Sequence, residues 1–185
     1  MNNPRSARRG RQAPNPSPLL VGTMPTFDWS DSFWVALPPH STRDPVHWQR
    51  RMFGTPRRPK RFDLMSYRNR AVRVLGLKST AAGGGQMRFA TMASSPDEVV
   101  VGMDDVHLDF RVGISVRDDP APDLSARLVI TTIVRRHNLL GRAYFAVVAG
   151  AHHVLVPRWT ERNVHDDHPP TTSRIIEKRR HESHI

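Results

Sequence analysis

The feature that most limits what this chain can fold into is the join of two segments at His137 and Asn138. Upstream, ARLVITTIVRRH (126–137) alternates as a β-strand does. Downstream, NLLGRAYFAVVAGAHHVLVPRW (138–159) reads as a long helix with Asn138 placed to cap its N-terminus. From Ala143 to Ala151 apolar residues fall on every side of that helix, which predicts a helix enclosed by the rest of the fold. An acid at Ala146 is then expected to unfold the chain. Pro157 should kink or end the helix, with Arg158 and Arg162 suited to its C-terminal turn.

The preceding chain offers the sheet. MRFATMAS, EVVVGMDD, VHLDFRVGISVRD and ARLVITTIVRRH carry a period of two and are separated by Ser-Pro-Asp, Asp-Asp and Asp/Pro-rich joins, so an antiparallel meander of four strands is the economical topology. The third of these places Val106, Leu108, Phe110, Val112, Ile114 and Val116 on one face and His107, Asp109, Arg111, Ser115 and Arg117 on the other. That polar row is expected to face solvent as a ladder of charges. An earlier strand, Ser32–Leu37, is apolar on both faces and needs cover on both. After it, Asp44 and Pro45 open a helix that Gly54 ends, and a second helix is expected over Phe62–Leu75.

Charge and glycine signals are weaker than they look. The formal net charge is +11, and ten basic residues against Asp44 and Asp63 occupy Arg43–Arg73, the one folded region positive enough to attract an anionic partner. It lacks the interleaved aromatics of a base-stacking surface, which argues against nucleic acid. Gly83–Gly85 follows no strand and precedes no Gly-Lys-Ser/Thr, so it reads as a flexible join and not as a phosphate cradle. With no cysteine there are no disulfides or thiolate ligands, and the His-containing tail has no paired metal-ligand spacing. No cofactor, metal or transmembrane segment is expected, and the cytoplasm is the default location. Oligomeric state is left open.

One domain is expected at this length. Residues 1–24 read as a disordered basic leader, 25–163 as the domain and 164–185 as a disordered tail, and Met24 is expected to be the natural start. Removing residues 1–23 and 166–185 should then leave stability unchanged.

RDPVHW (43–48), YRNRAVRVLGLK (67–78), SPDEVVVGMDDVHLDFRV (95–112) and RRHNLLGRAYFAVV (135–148) resemble a bacterial domain-of-unknown-function family, number 2867, associated with the START/Bet v 1-like (SRPBCC) helix-grip group. The resemblance implies an α+β helix-grip-like fold: a curved antiparallel sheet of five strands on a long C-terminal helix, with two short helices after the first strand. It also implies a cavity between sheet and helix that holds a hydrophobic small molecule. Small residues on the helix (Ala143, Ala146, Ala149, Gly150, Ala151) would leave volume for one, although close helix–sheet contact requires the same residues.

His137, Asn138 and Arg142 gather at the mouth where the positive end of the helix dipole favours an anion; with Tyr144 and Phe110 they form the candidate ligand-binding set. Asn138 is equally explained by capping. No catalytic residue is assigned. The alternatives are a cyclase-like or other small-molecule enzyme of the helix-grip group and a binder of anionic surfaces or nucleic acid through Arg43–Arg73.

Overall fold

A computed structural model describes residues 8–54, 89–119 and 126–167. Its elements in chain order are β1 (Arg9–Gln12), α1 (Pro18–Thr23), β2 (Trp29–Ala36), α2 (Pro45–Phe53), β3 (Ala90–Ser94), β4 (Glu98–Met103), β5 (Leu108–Arg117), β6 (Arg127–Arg136) and α3 (Leu139–Asp167). One antiparallel sheet runs β1-β2-β6-β5-β4-β3. The expected α+β class and the β3–β6 meander are both present, but the strands number six and not five. The helix expected over 62–75, the Gly83–Gly85 join and most of the basic Arg43–Arg73 region lie outside the described residues.

The additional strand comes from the supposed leader, and its ordering has a physical cause. Arg9 pairs with Glu161 of α3, while Arg11 pairs with the buried Asp31 at 3.1 Å. Ser17 caps α1, which seats Leu20 at 0 % exposure against Met24, Val100 and Ile133. Read alone, those arginines are solvated charges; their acids lie far along the chain.

Helices cover both faces of the sheet. On one face α2 packs over β4 and β5 and α3 over β2 and β6. Phe33, Val35, Val101, Ile114, Leu128, Ile130 and Trp48 form the continuous core there. Each such side chain contributes roughly 1.5–3 kcal/mol by leaving water. Helix α2 starts and stops where its sequence says: Asp44 accepts from the Val46 amide at 2.8 Å, Pro45 takes the first turn, and Gly54 closes it. On the opposite face α1 lies over β3, β4 and β5.

Pro157, expected to kink or end α3, does not end it: the helix continues past the expected boundary at 163 to Asp167 and buries Asn163 and Val164. Nor is the helix enclosed. Gly141, Phe145, Val156, Thr160, Asn163 and Val164 are buried, whereas Ala143, Ala146, Val147, Gly150 and Val154 are exposed. Uniform apolarity describes composition and says nothing about which neighbours exist to cover each side. The charge ladder on β5 is corrected in the other direction: Asp109 is 4 % and Arg111 7 % exposed.

Candidate functional site

The five residues expected to bind ligand divide between the two faces of the sheet. Asn138 does cap α3, its Oδ1 accepting from the Gly141 amide at 2.9 Å while its Nδ2 donates to the Val106 carbonyl at 3.2 Å. Gly141 is obligatory there, because a Cβ would collide with the His107 carbonyl. His137 Nε2 lies 3.0 Å from Asp109 Oδ1, and Arg135 donates to the other Asp109 oxygen at 2.7 Å. Arg142 is exposed on α3. Phe110 and Tyr144 meet on the far face around Leu108, Val134 and Phe145.

Asp109 therefore sits in a network on the α1 face. Burial pushes its carboxyl upward, but hydrogen bonds from His137, Arg135 and the Asp105 amide, with the nearby His137 charge, outweigh burial and hold it below the ordinary 3.8. Beside it, Arg111 is held by Asp104 at 2.7 Å and by the Phe110 carbonyl at 3.0 Å. These partners account for the polar row as a structural tie.

Between α2 and α3 an apolar run accompanies a polar tie, in which Arg51 donates to the Asn163 carbonyl at 2.8 Å and pairs with Asp167 at 3.1 Å. Trp159, Phe53, Phe89 and Phe110 form a run of edge-to-face contacts with centroids 5.0, 5.3 and 5.2 Å apart, yet none of the four rings is fully buried. Along the flank of α3, Tyr144, Val148, Ala151, Leu155 and Trp159 recur at spacings of four, three, four and four, and every one is half-buried. Both ends of this row meet the aromatic run, Tyr144 through the cluster it shares with Phe110 and Trp159 through Phe53. Half-buried apolar side chains of β5, α2 and α3 thus lie in contact with one another. A depression of about 320 Å³ lined by Asp44, His47, Arg50 and Arg51 is charged.

A second buried acid escaped the sequence reading. Asp31, 2 % exposed, points toward α3, where His153 Nδ1 lies 2.6 Å from its Oδ2 while Arg11 approaches its Oδ1. Next to it, His152 is packed against Trp29 and Phe33 at 5.3 and 5.9 Å. Burial lowers the His152 pKa to about 4; Asp31 opposes the shift, and His153 and Arg11 add to it. The available signal was an acid in register with Trp29 and Phe33 on an otherwise apolar strand face. Among the described residues no three His, Asp or Glu side chains converge on a metal site.

Residues 23–159, most of the chain, match a family described as protein of unknown function (DUF2867), and the chain belongs to that family. Strand β1 and nearly all of α1 lie outside the match. Comparison with curated proteins found no match, and comparison with solved structures found none.

Proposed function

We propose that this protein binds a hydrophobic small molecule in the groove between α2 and α3, without catalysing a reaction. The observation that carries this reading is the half-buried apolar row on α3 facing the half-buried aromatic run, since large rings left incompletely covered beside a core provide an apolar, shaped contact surface. Phe110 and Tyr144 serve as lining residues, whereas His137, Asn138 and Arg142 do not. The outward-facing Ala143, Ala146 and Gly150 add no volume beneath the helix, so the groove replaces the small-residue argument. The reading accords with a bacterial helix-grip relative of the START/SRPBCC group, with a long C-terminal helix across an antiparallel sheet. Binding is favoured over a cyclase-like activity because Asp109, Arg111 and Glu98 lie on the other face of the sheet, and Asp31, the buried acid on the α3 face, is already paired with Arg11 and His153.

The test is native mass spectrometry of detergent-free protein, followed by titration with anilinonaphthalene sulfonate. We expect a co-purified apolar mass, and saturable probe binding that Leu155→Asp abolishes. No bound mass together with no saturable binding, or binding unchanged in Leu155→Asp, overturns the proposal.

A further inference from the structure

The outer face of α3 carries an apolar surface that the fold does not use. Leu139 is 81 % exposed, Val147 and Val154 47 % each, and Val106, whose carbonyl Asn138 holds beside the helix start, 78 %. Ala143, Ala146 and Gly150 complete the face. At about 100° per residue, Leu139, Ala143, Ala146, Val147 and Val154 all project within roughly 60° of Gly150, along about 22 Å of helix. Among the described residues nothing lies within 4 Å of where a Gly150 Cβ would be, so none of them requires that glycine.

What could cover such a face is decided by its charges. From Leu139 to Pro157 the helix has no acid, and the first beyond it, Glu161, is already paired with Arg9. Arg142 and Arg158 are exposed and project about 80° to either side of Gly150, one on each flank of the apolar strip. A second copy docked antiparallel about Gly150 would bring Arg142 of each copy level with Arg158 of the other, and a parallel pairing would set like arginines together. Cations bordering an apolar strip instead suit a surface that is apolar inside and anionic outside.

Helix α3 is long and apolar enough to cross a bilayer. Its inner face, however, is committed to the sheet through Phe145 and Val156, so spanning would cost that packing, whereas lying on the membrane costs none of it. We infer that the outer face of α3 docks on an anionic lipid surface, with Leu139, Val147 and Val154 entering the headgroup boundary and Arg142 and Arg158 meeting lipid phosphates. This face points away from the proposed groove, so the two sites can be disabled separately.

The experiment is co-sedimentation of the full chain with vesicles of phosphatidylcholine, alone and mixed with phosphatidylglycerol, with light scattering for oligomeric state and circular dichroism to check folding. We expect binding only to the anionic vesicles, weakened by salt and reduced roughly thirtyfold in R142A/R158A, on the basis of about 1 kcal/mol per arginine. Val147→Asp, at an exposed position, should stay folded and also lose binding. No binding to anionic vesicles overturns the inference. So does binding that survives both variants, which would place the attraction in other basic residues, and so does a dimer that Val147→Asp dissociates, which would make the occupant a second copy.

Discussion

Asp31 and Asp109 are a matched pair with different origins. Each is a buried carboxylate held by one arginine and one histidine, Arg11 and His153 for the first and Arg135 and His137 for the second. Asp109 and Arg135 are direct partners in the register of β5 and β6, and His137 follows at the end of the same strand, so this network is assembled by strand pairing alone. Asp31 draws one partner from β1 and the other from α3, near opposite ends of the chain. Equal burial therefore hides unequal dependence: one network forms with the meander, the other needs three separate elements docked together.

The largest effect should come from deleting residues 1–23, which removes β1, Arg11 and the fully buried Leu20 at once. We expect a loss of about 4 kcal/mol or more, read as a large fall in melting temperature. An unchanged melting curve would show that β1 and α1 do not stabilise the sheet. Next, Asp31→Ala should cost about 2–3 kcal/mol, below the usual range for a fully buried pair because Arg11 and His153 are partly solvated. In that variant amide exchange should rise in β1 and in α3 around His153, and nowhere in β5. Asp109→Ala should instead raise exchange at the β5–β6 end and spare β1. If both variants loosen the same amides, the two networks are not separate.

Acid should separate them as well. His152 titrates near 6.5 when unfolded and near 4 when folded, so the unfolded state takes the proton first and stability falls as pH drops through that window, by about 1–3 kcal/mol for a half-buried ring. Asp109, with its folded pKa depressed, contributes stability above its unfolded value and loses it only as pH falls below about 3.8. His152→Gln should flatten the first phase of acid unfolding and leave the second. Loss of both phases, or of neither, would remove the assignment. The smallest effect belongs to Ala146→Asp, once expected to unfold the chain; at an exposed helix position it should cost only about 0.5 kcal/mol of helix propensity.

What could be read from sequence was local. The Asp44–Pro45 start of α2, the Asn138 cap and the antiparallel order of β3 to β6 depend on residues close to one another in the chain, and each stands as expected. The alternation of β5 is corrected on both faces: Val106, assigned to the core face, precedes the strand and is 78 % exposed, while Asp109, Arg111 and Ser115 on the polar face are buried. What failed depended on partners supplied from afar. Arg9 and Arg11 looked solvated because Glu161 and Asp31 cannot be assigned to them by spacing, and the polar face of β5 looked exposed because α1, which packs on that strand, had been read as part of a disordered leader. The groove was half legible: Phe110 and Tyr144 stood among the candidates, but the row from Tyr144 to Trp159 was hidden within a helix that appeared apolar all round.

The sheet order carries a consequence for how the chain acquires its structure. Strand β2 pairs with β6 in a register that sets Trp29 opposite Val134 and Ala36 opposite Arg127, so about a hundred residues separate partners at the centre of the sheet. The meander can form from neighbouring hairpins, but the β1–β2 hairpin must wait, with Phe33 and Val35 uncovered, until β6 has left the ribosome. The first strands to be synthesised are thus among the last to find their place, and during translation the aggregation hazard sits at the N-terminal end of the domain.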